Sequence, residues 1–144
     1  MIQNPPKDMP RIPPYLYYNN LPSAMEWVSV AFGLHTRLVV NGPDGFPMHG
    51  EVTLKDGVVM MGKADPERGG RSPIDTGAAS QGLYVYVDDV DAHCAGATAA
   101  GATIVMALEE TFWGDRIYAA VDPEGHHWTF AQHVKDIAPE EMTP

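Results

Sequence analysis

His49 and Glu51 stand two residues apart in a stretch that reads as a β-strand, so an imidazole and a carboxylate point to one face. That pairing suits general acid–base work, with Glu51 as the base and His49 as the acid or orienting partner. The same spacing sets Tyr15 beside Tyr17 and Tyr84 beside Tyr86. Tyrosine offers a flat apolar face and a hydroxyl handle, and an aromatic pair contributes about 0.5–1.5 kcal/mol, which suits a small-molecule site. Nucleophilic chemistry finds less support. Cys94 falls in an Ala-rich helical stretch, where a buried thiol is inert, and Ser29 has no visible base. Gly69-Gly70 is no phosphate loop, because no Lys-Ser/Thr follows it.

These side chains need strands to hold them, and the chain supplies two similar sets. Residues 1–10 carry three prolines and read as an extended lead-in. A strand over 12–18 precedes a helix from about Pro22 to Phe32, with Gly33 as its C-cap. A strand over 35–41 leads to a hairpin, 48–54 and 58–62, around Lys55-Asp56-Gly57. Residues 63–80 have no apolar rhythm and read as a linker. The second half repeats the order: a strand at 82–88, a helix at 90–100 capped by Asp89, then strands near 103–107, 116–121 and 127–133. Asn20 and Asp89, Gly33 and Gly101, and Gly57 and Gly125 recur at offsets of 68–69 residues. The expected fold is α+β: one domain of two βαβββ modules, 11–62 and 81–135, around a half-barrel cleft, ending in an acidic tail at 136–144.

Alternation assigns the faces. Ile12, Leu16 and Tyr18 oppose Pro13, Tyr15 and Tyr17, while Leu83, Val85 and Val87 oppose Gly82, Tyr84 and Tyr86. The aliphatic sets belong under the helices and the tyrosines in the cleft. On the third strand, Met48, Val52 and Leu54 are expected in the core, with His49, Glu51 and Thr53 in the cleft. The offset puts Ile117 and Ala119 there too. Glu51 is the one strong negative charge expected inside. Trp113, just before a strand, is expected at a cleft mouth.

In 144 residues, 9 Lys plus Arg face 19 Asp plus Glu, for a net charge of −10. Such a chain repels phosphate backbones, which argues against nucleic acid and anionic membranes and leaves neutral or cationic small molecules. No apolar run is long enough for a membrane span. A single cysteine fits a reducing cytoplasm and excludes an internal disulfide.

Ala24-Met25-Glu26-Trp27, Val87-Asp88-Asp89-Val90-Asp91 and the ending Phe112-Trp113-Gly114-Asp115-Arg116 through Asp122-Pro123-Glu124-Gly125-His126-His127-Trp128 resemble the vicinal oxygen chelate superfamily. That superfamily holds glyoxalases, bleomycin-resistance proteins and extradiol dioxygenases, and the ending is most similar to its PhnB-like branch. The resemblance spans about residues 11–142 and implies the half-barrel fold and a homodimer. It implies metal ligands at four strand positions, which fall here on Pro13, Gly82, Met61 and Thr129. None of these suits a hard divalent ion, so no metal or other cofactor is expected at the usual site. His49, Glu51 and His127 could form a relocated set only if they converge. The resemblance therefore points to a small-molecule-binding protein whose cleft is lined by Tyr15, Tyr17, Tyr84, Tyr86, Met61, Trp113, His127 and Thr129. The alternative is a lyase or isomerase acting on a small oxygenated metabolite.

Overall fold

Pro13 and Pro14 cannot donate to a sheet ladder, so the first strand starts only after them. In a computed structural model that describes residues 1–144, β1 spans Tyr15–Tyr18, and the Pro14 carbonyl still accepts from the Met60 amide. Ile12 is therefore not part of the strand; it stands exposed instead of under the helix. Helix α1 (Leu21–Phe32) follows, with the Asn20 side chain accepting from the Ser23 amide and Gly33 closing it in the left-handed conformation. Leu21, Ala24, Met25, Val28, Ala31 and Phe32 form its buried stripe. Strands β2 (His35–Asn41), β3 (Pro47–Leu54) and β4 (Gly57–Lys63) complete a sheet in the order β1-β4-β3-β2, with only β1 and β4 parallel.

The second module repeats this plan. Strand β5 (Gly82–Tyr86) and a longer helix (Val90–Ala99) precede β6 (Thr103–Glu110), β7 (Asp115–Val121) and β8 (His127–His133). The sheet order is β5-β8-β7-β6. The fold is α+β, two βαβββ modules with one helix behind each four-stranded mixed sheet. Between them, residues 63–80 are more ordered than their composition suggests. They hold a 3-10 turn at Pro66–Arg68, an Asp65–Gly70 bridge and a one-turn helix, α2 (Pro73–Thr76), which makes the Val90–Ala99 helix α3.

One core joins the modules. Seventeen buried residues from both halves form a single cluster, in which the Phe32 ring lies 4.7 Å from Phe130 and 5.3 Å from Trp128. The turn between β7 and β8 locks this junction. Asp122 accepts from the Tyr18 hydroxyl (2.6 Å) and the Trp128 indole (3.1 Å), and from the amides of Glu124 and His126. Buried Glu124 accepts from the Asn19 and Asn20 amides and the Ser72 hydroxyl.

Two further face assignments need correction. Met61 lies beside Leu16 under α1 and is fully buried in the core; Met60, paired with Tyr15 and Glu51, takes the cleft-side position. The first hairpin closes four residues between Thr53 and Val58, whereas the second closes five between Val121 and His127. That extra residue moves the repeat offset from 68 before the turn to 69 after it, and a one-residue slip inverts a strand's faces. Met48 stands exposed near the start of β3 instead of in the core.

Candidate binding site

On the first sheet, glycines make room for the tyrosines. A Cβ at Gly62 would lie 2.6 Å from the Tyr15 ring, and one at Gly70 would lie 2.6 Å from the Tyr17 ring. The two rings sit 5.1 Å apart, tilted by 43°. The Tyr15 hydroxyl is 2.9 Å from His49 Nδ1, and His49 Nε2 is 3.0 Å from Glu51. A carboxylate only accepts, so Nε2 of His49 carries a proton, and in the neutral ring Nδ1 accepts from the Tyr15 hydroxyl. Glu51, 5% exposed, is also ion-paired to the Arg37 guanidinium at 3.1 Å. Arg37, Glu51, His49 and Tyr15 thus form one line, at whose outer end stands the phenol. Burial, Tyr17 and Glu51 all push the Tyr15 pKa up, so the hydroxyl stays protonated. Arg37 also donates to the carbonyls of Lys7 and Asp8, which ties the N-terminal lead-in to this sheet.

The second sheet carries a separate network built around Asp115. This carboxylate is 1% exposed and accepts from the hydroxyls of Tyr84 (2.7 Å) and Tyr86 (2.9 Å) on one oxygen. His133 Nδ1 lies 2.8 Å from its other oxygen. Burial raises the Asp115 pKa, but the bonds from Tyr84, His133 and Tyr86 outweigh it and hold the carboxyl below the usual range. Burial and the bond to Asp115 push Tyr84 up to about 12. His133 is raised by Asp136, 2.7 Å from its Nε2, and by Asp115. The Trp113 indole donates to the Tyr84 hydroxyl at 3.1 Å, so it stands over this tyrosine pair.

Glu51 is therefore not the single anion of these faces. Asp115 is a second, and its sequence signal was its phase: it lies two residues before Ile117 on the cleft-side row of β7. Arg37 carried no such cue, because its partner Glu51 is on another strand, and nothing local tied His133 to Asp115, eighteen residues away. His127 and Thr129 share the Tyr84 side of β8, opposite Gly82 and Tyr84. No hydrogen bond or aromatic contact joins the Tyr15 network to the Tyr84 network within the chain.

The donors do not suit a divalent metal. Once the register is corrected, the four strand positions hold Pro13, Gly82, Met60 and Thr129, and no three His, Cys, Asp or Glu side chains converge. His49 and Glu51 are engaged with each other on one sheet, and His127 lies on the other.

A third feature is a cavity of about 470 Å³ between β1 and the 69–81 segment. Tyr15, Tyr17, Arg71, Ser80, Gln81 and His126 line it. His126 is pinned there by a 2.7 Å bond from its Nε2 to the Tyr17 carbonyl. No helix of the chain is long and apolar enough to cross a membrane.

Comparison with known proteins agrees with the fold. Residues 11–130 match the family described as the Glyoxalase/Bleomycin resistance protein/Dioxygenase superfamily. Uncharacterized protein Mb0911c of Mycobacterium bovis is 35% identical over 136 residues, covering 92% of this chain and 90% of that one. The crystal structure of TioX from Micromonospora sp. ML1 is 32% identical with a TM-score of 0.67, over 83% of this chain and 95% of that one. TnmS3, described as an antibiotic binding protein from Streptomyces sp. CB03234, has a TM-score of 0.66 at 21% identity, over 83% and 91% of the two chains. At that identity the likeness is one of fold.

Proposed function

We propose, from the premise that this chain belongs to the glyoxalase/bleomycin resistance protein/dioxygenase superfamily, that it is a small-molecule-binding protein whose guest stacks on its tyrosine pairs. The observation that carries this reading is the anchoring of those rings. Tyr15 is fixed through its hydroxyl to His49, and Tyr84 and Tyr86 to Asp115, while Tyr84 and Tyr86 remain 44% and 59% exposed. Exposed aromatic surface that is already ordered loses little entropy when a planar guest stacks on it. The guest is an aromatic or amphiphilic molecule, and the Asp115 face, with Tyr84, Tyr86 and Trp113 around a carboxylate, extends this to cations. The antibiotic-binding description of TnmS3 supports the same class of role. Phe112-Trp113-Gly114-Asp115-Arg116 supports a place in the PhnB-like branch, and single Cys94 supports the cytoplasm.

A homodimer belongs to this reading. Leu38, Val39 and Val40 on β2, Tyr84 and Tyr86 on β5, Val105 on β6 and Phe112 are exposed, and a second copy packed on them would take this apolar surface out of water. In this reading the second copy closes the cleft in which the guest stacks.

Calorimetric titration with naphthalene-sized aromatic amides and amines tests the binding role. The expected result is saturable binding, weakened at least tenfold by Tyr15→Ala or by the pair Tyr84→Ala and Tyr86→Ala. Binding that ignores these substitutions would overturn it.

The line from Arg37 to Tyr15 favours one further reading, a lyase or isomerase. In that case Glu51, engaged by Arg37 and His49, orients the imidazole, and His49 with Tyr15 moves the proton. Mass spectrometry of a bound compound after incubation separates the two. Unchanged recovery fits a binder, and conversion lost in His49→Gln fits an enzyme.

A further inference from the structure

We infer that the cavity between β1 and the 69–81 segment takes the oxyanion head of a planar aromatic guest, with Arg71 as its charge partner. This rests on the tyrosine-stacking reading and adds the chemical class of one end of the guest. Its first support is a charge contrast. The chain carries 19 acidic residues, yet none of the eleven residues lining this cavity is Asp or Glu. Its one full positive charge is Arg71.

The second support is pairing. Of the nine Lys and Arg, Arg37, Lys55, Arg68 and Arg116 are ion-paired to a carboxylate; Arg71, like Lys7, Arg11, Lys63 and Lys135, has no ion pair, and it is the unpaired one that lines this cavity. A guanidinium presents a planar fork of donors that matches carboxylate or phosphate geometry. Tyr17 and Ser80 are also among the lining residues, and neither hydroxyl has a hydrogen-bond partner within the chain, so both are free to donate. Gln81 is occupied, donating to the Tyr15 carbonyl, and so helps to close one wall.

The third support is shape. The Tyr15 and Tyr17 rings, backed by Gly62 and Gly70, give an apolar wall beside those donors. At about 470 Å³ the space fits a fused-ring body with a small charged group. An oxyanion in this position meets Arg71 and two hydroxyls and no opposing carboxylate, whereas a cation meets Arg71 head on.

The test uses the 144-residue protein and four probes that share one naphthalene body: 2-naphthoate, 2-naphthyl phosphate, neutral 2-naphthamide and the ammonium of 2-naphthylmethylamine. Calorimetric titration should give a Kd for at least one oxyanion about tenfold below that of the amide, as expected for a charge-assisted pair at a partly exposed site. The better of the two anions identifies the head group as carboxylate or phosphate. Arg71→Gln should remove that preference while leaving the amide's Kd within twofold, and Arg71→Lys should restore part of it. Because Arg71 is exposed and unpaired, unchanged circular dichroism is expected in both variants. Gly70→Ala, which displaces the Tyr17 ring, should weaken anion and amide alike. Equal binding of anion and amide, ammonium binding tighter than the anion's that persists when Tyr84 and Tyr86 are both replaced by Ala, or a preference that survives Arg71→Gln would overturn the oxyanion assignment and leave tyrosine stacking intact. Absence of binding by all four would overturn both.

Discussion

Asp115 holds more of the second sheet's face than any other single residue. Three donors converge on a carboxylate that is almost wholly buried. Replacing it by Asn puts an amide NH2 where one of those donors now points. The expected cost is about 1–3 kcal/mol in urea denaturation, together with looser Tyr84 and Tyr86 rings. Two histidines give stability opposite dependences on pH. The pKa of His133 is raised in the folded protein by Asp136 and Asp115. Its contribution is fully present below the unfolded value near 6.5 and fades as pH rises through the folded one. His93 is lowered by burial between Phe32 and Tyr118, so its contribution is present above about 6.5 and is lost as pH falls. Imidazole NMR titrations should therefore place His133 above and His93 below the free value. His133→Gln should remove stability on the acid side of neutrality, and His93→Gln should remove it on the alkaline side.

At the scale of elements, the β7–β8 turn does more than reverse the chain. Glu124 holds the Asn19-Asn20 backbone that leads into α1 and, through Ser72, the 63–80 segment, while Asp122 satisfies Tyr18 and Trp128 in the core. Asp122→Ala leaves a buried hydroxyl and a buried indole N–H without an acceptor. The expected loss is about 2–4 kcal/mol in equilibrium unfolding, with a single transition retained because both modules share one core. Asn20→Ala removes only one exposed cap bond and should cost about 1 kcal/mol. The same turn explains the mis-assignment of Met61. Its extra residue is invisible to a count that starts from the two hairpin glycines, yet it inverts the face of everything counted after it.

At the scale of the whole molecule, charge and apolar surface oppose each other. A chain carrying −10 repels its copy, while exposed aliphatic and aromatic residues on β2, β5 and β6 favour association. Sedimentation equilibrium should find a species of twice 15.7 kDa, and salt should tighten it by screening the repulsion. Val39→Glu with Val105→Glu should return it to monomer with the fold intact, because both positions are about half exposed. A wild-type protein that stays monomeric at millimolar concentration would remove the second copy from the proposed cleft.

Much of this architecture was legible in the residues themselves. Period-2 alternation in Tyr15–Tyr18 and Gly82–Tyr86, the caps Asn20 and Asp89, and the repeated offset are local or periodic properties that any chain with these residues carries. They determined the α+β class, the two modules and the side of the sheet that the four tyrosines face. What tertiary structure alone decided were partnerships between residues far apart in sequence: Tyr15 with His49, Arg37 with Glu51, Tyr84 with Asp115, and Tyr18 with Asp122. Such pairs depend on register and on how one module docks against the other, and neither leaves a mark in local spacing. For that reason the sequence could nominate Glu51 as a base, while only the fold showed it bound between an arginine and a histidine, with the phenol of Tyr15 at the outer end of the line.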